Sequence, residues 1–163
     1  MKRPPILVPG FRFSGVACGI KPKGSDLALI VSDQPATAAG VFTRSSVVGA
    51  PVEVSRALVK SGRARGVVVN SGVSNVAMGA RGRRDAESMA RAACRAVGVA
   101  DGEMLVASTG VIGEPLPLPK IRRGIRAATA QLSAGGLGDA ARAIMTTDTV
   151  PKTAVARVAF GGT

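Results

Sequence analysis

Two segments of the chain carry the side chains best suited to chemistry on a carbonyl group. The first runs from Ser108 to Pro117 and begins with Ser-Thr-Gly, directly after the apolar run from Met104 to Ala107. A buried strand that breaks at this point leaves one hydroxyl and several amide N–H groups without ladder partners. Such groups can face a cleft and stabilise a developing oxyanion. The alternative from spacing alone is a strand-to-loop corner, with glycine supplying a positive φ.

The second segment runs from Ile144 to Lys152 and places three hydroxyls and a carboxylate where a helical pattern stops. It is poor in bulk and rich in donors, which suits a small polar substrate. The alternative is that Thr146, Thr147 and Thr149 make only local hydrogen bonds at the end of the helix. For the same reason Lys152 is either a partner for a substrate carboxylate or a surface lysine.

The absence of histidine limits the mechanisms open to the chain. With no His among its 163 residues, a Ser-His-Asp or Cys-His relay is impossible within it. Zinc sites of the usual type are excluded as well, because only Cys18 and Cys94 remain, and we expect both to be small core residues. We predict no metal and no cofactor. A base for nucleophilic chemistry must come from a lysine, a carboxylate or a chain-terminal amine.

The formal charge of +12 raises the question of nucleic-acid binding. The basic residues are scattered, and the densest group, 81–84 with Arg91 and Arg95, has no aromatic residue nearby to stack on a base. We therefore favour a solvated basic face over a nucleic-acid site. Two unpaired-looking cysteines, no signal peptide and no long apolar span predict a soluble, cytoplasmic protein with no membrane contact.

Length and composition predict one domain. The first ten residues are rich in proline and are expected to form a flexible arm, while 46% hydrophobic residues supply a core for a single domain over 11–163. The chain ends at Gly161-Gly162-Thr163, just after a predicted strand. Such a turn normally leads into a partner strand, so we expect a domain that is incomplete at its C-terminus.

The hydrophobic pattern predicts an α+β fold in which helices pack on a mixed or antiparallel β-sheet. Strands are predicted at 11–20, 27–31, 36–43, 66–70, 104–107 and 153–160, and the first three read as an antiparallel meander. Residues 51–54 read as extended, and Ser55 is predicted to cap a short helix that ends at Lys60. Further helices are predicted at 84–97, 119–132 and 137–145.

Motifs along the chain also resemble those of a known family. They are Gly19-Ile20-Lys21, residues 26–33, residues 35–43, Val69-Asn70-Ser71-Gly72, residues 108–117 and residues 144–152. In this order they resemble the N-terminal half of the bifunctional ornithine acetyltransferase/N-acetylglutamate synthase family of arginine biosynthesis. The resemblance implies a layered αββα fold.

The resemblance implies an enzyme that moves acetyl from N-acetylornithine to glutamate through an acetyl-threonine intermediate. In that family self-cleavage frees the threonine, whose α-amine serves as base, so no histidine is needed. The small-molecule substrates are then N-acetylornithine and glutamate, with acetyl-CoA left open as a third. By the matching positions, the Thr109 hydroxyl and the Gly110 N–H would form the oxyanion hole, and Thr149 would bind substrate.

Two departures from the family pattern qualify this expectation. The family's Lys-Gly-Ser-Gly-Met motif and cleavage threonine lie beyond Thr163, so the chain would carry an oxyanion hole without its nucleophile. We expect it to be inactive alone and to need the missing C-terminal half. The loop after Gly72 also differs, because Val73 and Met78 replace polar residues. That loop favours an alternative function, a non-catalytic binding or assembly module that retains the fold.

Overall fold

The computed structural model describes residues 7–156 and residue 158. Its strands are Phe11–Val16 (β1), Leu27–Thr37 (β2), Arg63–Val73 (β3) and Met104–Val111 (β4). Its helices are Ala50–Leu58 (α1), Gly79–Val97 (α2), Leu118–Ala130 (α3) and Leu137–Ala143 (α4), with a 3₁₀ turn, Val59–Ser61, after α1. Among the residues described, no helix combines the length and the apolar composition needed to cross a membrane.

The four strands form one mixed sheet in the order β1-β2-β3-β4. The β1–β2 and β2–β3 pairs are antiparallel, whereas β3 and β4 are parallel and are connected through α2. Parallel strands need such a crossover, and their carboxyl ends then lie at the same edge of the sheet. The predicted α+β class with helices on a mixed sheet is confirmed.

Helices cover both faces of this sheet. The larger core lies between the sheet and α1, α2 and α3, and it contains both cysteines, Cys18 and Cys94, as predicted. The smaller core lies under α4. It is formed by Phe13, Ala28, Ala140 and Ala143. Aliphatic and small side chains therefore do the packing on both sides, as a chain with four Phe, no Tyr and no Trp requires.

The first predicted strand is too long. β1 ends at Val16, because the carboxylate of Asp26 accepts hydrogen bonds from three backbone N–H groups in the following loop. The donors are the amides of Cys18, Ile20 and Lys21, at 2.7, 2.6 and 3.0 Å. These amides therefore bond to the side chain of Asp26 and are not available for pairing with a neighbouring strand.

The predicted third strand at 36–43 is wrong. The first antiparallel pair of the predicted meander is present as β1 and β2, but the third antiparallel strand is β3 and not this segment. Ala36 and Thr37 extend β2 beyond an irregularity in its register, and residues 38–48 form neither helix nor strand. Val41 is fully exposed, so this segment has no sheet to cover. The carbonyls of Ser32 and Asp33 at the irregularity accept hydrogen bonds from the Arg65 guanidinium instead.

The predicted start of the first helix is also wrong. α1 begins at Ala50, with Pro51 in its first turn, so 51–54 is helical rather than extended. Proline suits this position because its missing N–H would have no partner there in any case. Ser55 lies inside the helix and is buried, where its hydroxyl bonds the backbone of Val106 in β4.

Two other strand predictions are corrected. β4 does not break at Ser-Thr-Gly but continues to Val111, which pairs with Val73 of β3. The strand predicted at 153–160 is wrong as far as the structure describes it, because 153–156 and 158 are exposed and irregular. The other residues of that prediction lie outside the described part of the chain.

The later helices are confirmed in type and order. α2 begins at Gly79, earlier than predicted, and ends where Gly98 takes the left-handed conformation. α3 and α4 agree with their predicted positions to within two residues at each end. Of the predicted flexible arm, residues 7–10 are exposed and the Gly10 carbonyl accepts a hydrogen bond from the Asp33 N–H. Residues 1–6 lie outside the described part.

Candidate active site

The two polar strand ends lie side by side. In the parallel β3–β4 pair, Asn70, Ser71 and Gly72 are the register partners of Ser108, Thr109 and Gly110. Side chains alternate between the two faces of a strand, so Thr109 shares a face with Ser71, and Ser108 with Asn70. The Ser71 hydroxyl donates to the carbonyl of Ala143 at 2.7 Å, which identifies the Thr109 face as the α4 face.

Asn70 fastens the two strand ends together. Its side chain is fully buried, accepts a hydrogen bond from the Ser108 hydroxyl at 2.6 Å and donates to the Val73 carbonyl at 2.8 Å. A buried carboxamide with its groups paired stabilises the local backbone. Asn70 is therefore a structural residue.

Gly72 and Gly110 let the two strand ends approach closely. Their φ angles are +114° and +132°, which side-chain-bearing residues rarely adopt. A Cβ on Gly110 would lie 2.2 Å from the carbonyl carbon of Gly72 and 2.4 Å from its oxygen. Since both contacts are with backbone atoms, only glycine fits at position 110.

The Gly110 amide faces the open edge of the described sheet. β4 is the last strand in the sheet order, and backbone groups of a strand alternate in direction. The carbonyls of Glu103 and Val111 face β3, because they accept hydrogen bonds from the N–H groups of Arg65 in β3 and Ser74 just after it. The N–H and the carbonyl of Val106 face the other side of β4, because both bond to the Ser55 hydroxyl in α1. Gly110 is an even number of residues from Val106, so its N–H points away from β3.

Thr109 and Gly110 differ in exposure. Thr109 is half-buried and Gly110 is exposed. A hydroxyl and an outward amide on adjacent residues can together donate to one oxyanion when a carbonyl group is bound beside the strand. These donors belong to an edge strand of the described sheet and not to a broken strand.

The loop between β1 and β2 covers this strand end. Burial works to raise the pKa of Asp26, but hydrogen bonds from the amides of Cys18, Lys21 and Ile20 and from the Cys18 thiol hold it below its usual value. A Cβ on Gly72 would lie 2.8 Å from Ile20 Cγ2 and 3.1 Å from Lys21 Cγ, so this loop packs directly on Gly72. Sequence reasoning gave Asp26 no role. The available signal was a lone carboxylate at the start of a fully apolar strand.

Cys18 lies in the same loop, and its thiol is next to the Asp26 carboxylate. Burial and the neighbouring Asp26 carboxylate raise the pKa of Cys18 to about 12. A thiol with such a pKa stays protonated at neutral pH, so it is a poor nucleophile. Its role is packing, in agreement with the core assignment made from the sequence.

The segment that carries Thr149 is tied to the same edge. The Lys21 ammonium donates to the carbonyl of Met145 at 2.9 Å, next to the contact that Ser71 makes with Ala143. Thr149 itself is exposed. A cavity of about 470 Å³ opens beside this segment, and neither Thr109 nor Thr149 is among its lining residues. The structure therefore anchors the segment near the strand ends without joining the two threonines in one cavity.

Asp148 and Lys152 form an ion pair, with 2.5 Å between Oδ1 and Nζ. Hydrogen bonding to and attraction by Lys152 lower the pKa of Asp148. A salt bridge of this exposure contributes little to stability. The pair uses the charge that Lys152 would otherwise offer to a substrate.

The altered loop after β3 is held by Asn75, which sequence reasoning missed. Asn75 is fully buried at a φ of +55°, donates to the Gly82 carbonyl at 2.8 Å and accepts from the Ala50 N–H through its own carbonyl at 3.2 Å. It thereby fixes the starts of α1 and α2 to the loop. Val73, the last residue of β3, is buried in the larger core, and Met78 is half-buried directly before α2.

The chain is similar to proteins of one known family. The pattern of the ArgJ family matches residues 12–163. The arginine biosynthesis bifunctional protein ArgJ of Symbiobacterium thermophilum is 49% identical over 156 residues, which cover 94% of this chain and 39% of that protein. The chain thus spans about two fifths of the length of this curated relative.

Two solved structures share the fold. Ornithine acetyltransferase from Mycobacterium tuberculosis, complexed with ornithine, superposes with a TM-score of 0.84 at 40% identity, over 87% of this chain and 78% of that one. ArgJ from Bacillus halodurans gives a TM-score of 0.81 at 36% identity, over 87% and 75%. The family match extends over nearly the whole chain, and these likenesses agree with it. The chain belongs to the ArgJ family.

Proposed function

We propose that this chain is the N-terminal portion of an ornithine acetyltransferase, which moves acetyl from N-acetylornithine to glutamate. The observation that carries the proposal is the paired end of β3 and β4, where a threonine hydroxyl and an outward glycine amide occur on adjacent residues. Membership of the ArgJ family and the likeness to an ornithine-bound acetyltransferase support it. Buried free thiols suit a reducing compartment, so we place the reaction in the cytoplasm.

In this proposal Thr109 and Gly110 form the oxyanion hole. A threonine nucleophile attacks the acetyl carbonyl of N-acetylornithine, and the negative charge that develops on its oxygen accepts hydrogen bonds from the Thr109 hydroxyl and the Gly110 N–H. Collapse of this intermediate breaks the C–N bond and expels ornithine, whose nitrogen takes up the proton lost by the threonine hydroxyl, and an acetyl-threonine ester remains. The glutamate amine then attacks this ester, which releases N-acetylglutamate and returns a proton to the threonine hydroxyl. Each donor of this kind typically contributes about a hundred- to a thousandfold in rate.

The nucleophile in this scheme comes from the part of the family protein that follows the matched region. The chain alone is therefore proposed to bind substrate without turnover, and a second polypeptide or segment completes the site. Thr149 is proposed to bind substrate, because its segment is tied to the same edge through Ala143 and Met145. We assign no residue to the binding of acetyl-CoA.

A second candidate is a binding or assembly module that has kept the fold and lost the chemistry. Val73, at the end of β3, and Met78, in the loop that follows, favour it because they replace polar residues of the family pattern. Under this alternative the strand ends serve only for packing, and substitution of Thr109 or Thr149 leaves ligand binding unchanged.

Isothermal titration calorimetry with N-acetylornithine tests the proposal. We expect saturable binding to the wild-type chain that Thr149→Ala weakens at least tenfold, while Thr147→Ala, at a neighbouring exposed hydroxyl, leaves it within twofold. An absence of binding, or equal effects of the two substitutions, would contradict the assignment. Acetyl transfer by the chain alone at the rate of a complete enzyme would contradict the claim that the nucleophile comes from outside this chain.

A further inference from the structure

We infer that Lys21 and Arg142 form a binding site for the carboxylate of an amino-acid ligand. Both residues line the cavity of about 470 Å³ next to the end of α4, together with Ser25, Thr146 and Asp148. The identity of the ligand as the acetyltransferase substrate rests on the proposed function. The recognition of a carboxylate rests on the cavity and its charges.

Lys21 is held at both ends before any ligand arrives. Its backbone N–H is bound by the fully buried carboxylate of Asp26, and its ammonium donates to the Met145 carbonyl at 2.9 Å. An ammonium has three donors, so two remain for a ligand. Among the described residues it forms no ion pair, although it is half-buried. Preorganisation of this kind lowers the entropy that binding costs.

The other charges around the cavity are already partly used. Arg142 pairs with Asp139, and Asp148 pairs with Lys152. The guanidinium keeps further N–H donors after one ion pair. The cavity therefore offers the Lys21 ammonium and the remaining N–H donors of Arg142, whereas the charge of the Asp148 carboxylate is taken up by Lys152. An amino-acid ligand would therefore bind here through its carboxylate.

Lys21 connects the cavity to the candidate oxyanion hole through the packing of its side chain. The stem of Lys21 packs on Gly72, and the backbone of Gly72 is in turn packed against Gly110. A ligand carboxylate on the Lys21 ammonium would therefore lie on the side of the strand end that faces the β1–β2 loop. This arrangement would orient the rest of an amino-acid substrate relative to the end of β4.

A purely structural role for Lys21 is the competing explanation, because cations near a helix C-terminus stabilise its last carbonyls. The two roles predict different ligand dependence. A structural lysine would affect all ligands alike when removed, whereas a carboxylate-binding lysine affects only those that carry a carboxylate.

The test compares Lys21→Gln with Lys23→Gln, an exposed lysine of the same loop that does not line the cavity. Binding of N-acetylornithine, glutamate and N-acetylputrescine (the decarboxylated analogue of N-acetylornithine) is measured by calorimetry. We expect Lys21→Gln to weaken the carboxylate ligands at least tenfold and N-acetylputrescine less than twofold. Lys23→Gln should leave all three within twofold, and Lys21→Arg should restore part of the loss.

Three outcomes overturn the inference. They are an unchanged affinity in Lys21→Gln, an equal loss for the ligand without a carboxylate, and no binding of either carboxylate ligand to the wild-type chain. If the wild type binds glutamate through Lys21 but not N-acetylornithine, the carboxylate site stands and the proposed substrate falls. The oxyanion role of Thr109 is tested separately, by acetyl-transfer rate, so its failure leaves this result untouched.

Discussion

Substitution of Gly110 by alanine tests the packing of the two strand ends. The added Cβ would lie 2.2, 2.4 and 2.6 Å from the carbonyl carbon and oxygen of Gly72 and the nitrogen of Val73. All three are backbone atoms, so no side chain can rotate away. The strands must separate, or Gly110 must leave its φ of +132°.

Two costs add at this position. Holding a residue other than glycine at such a φ costs about 1–3 kcal/mol, and forcing an extra methyl group into packed backbone costs about 1–3 kcal/mol. We therefore expect Gly110→Ala to lower the free energy of unfolding by about 2–6 kcal/mol. With a urea m-value of about 2 kcal/mol/M, the midpoint falls by at least about 1 M.

Gly113→Ala is the matched control. Gly113 also has a positive φ, +81°, but a Cβ there meets nothing within 4 Å. It should cost only the conformational part, about 1–2 kcal/mol. Urea denaturation followed by far-UV circular dichroism measures both variants. A midpoint for Gly110→Ala equal to or above that of Gly113→Ala would refute the close approach of Gly72 and Gly110.

Three further predictions concern buried polar groups. The lowered pKa of Asp26 gives stability that is present above its unfolded pKa of 3.8 and lost as the pH falls below it. Asp26→Asn should remove that acid-dependent part of the urea midpoint between pH 2 and 6, and an unchanged pH profile would oppose this. Ser55→Ala should cost about 1–3 kcal/mol in urea denaturation, because both backbone groups of Val106 lose their partner; the exposed Ser61→Ala is the control, and an equal small loss would contradict the bridge. Cys18, with its pKa raised to about 12, should react with a thiol reagent at pH 8 far more slowly in the folded chain than in urea; equal rates would show the thiol to be accessible.

The sequence predicts the helices better than the strands, and the reason is physical. α2 and α3 each bury one face at helical spacing, and Gly98 stops α2 through its own backbone preference. Such signals lie within a few residues of one another. The length of β1 depends instead on Asp26, a side chain ten residues beyond the end of that strand, and periodicity holds no information about that contact.

The candidate site is predictable in part for the same reason. The Ser-Thr-Gly segment follows an apolar run, so a polar strand end at 108–110 follows from the residues alone. Its extension to Val111 does not, because that depends on pairing with Val73 across the sheet. Ser55 likewise has the residue type of a helix cap, but its hydrogen-bond partner is Val106, 51 residues away.

Residues with high strand propensity can also lie in an irregular segment. Val41 and Phe42 have strand propensity, yet no neighbouring strand pairs with their segment in the described sheet, and Phe42 packs under the Arg56 guanidinium, 5.5 Å from its ring centre. Strand propensity largely reflects packing against neighbours. Without those neighbours the segment stays irregular.

The central claim is that the Thr109 hydroxyl and the Gly110 amide stabilise an oxyanion. It is tested most directly by the rate of acetyl transfer from N-acetylornithine to glutamate, with this chain co-expressed with the part of the Symbiobacterium thermophilum relative that follows the matched region. Thr109→Ala should lower the rate about a hundred- to a thousandfold relative to the wild-type pair, while Thr109→Ser, which keeps the hydroxyl, stays within about tenfold. Equal rates for Thr109→Ala and the wild-type chain would contradict the claim.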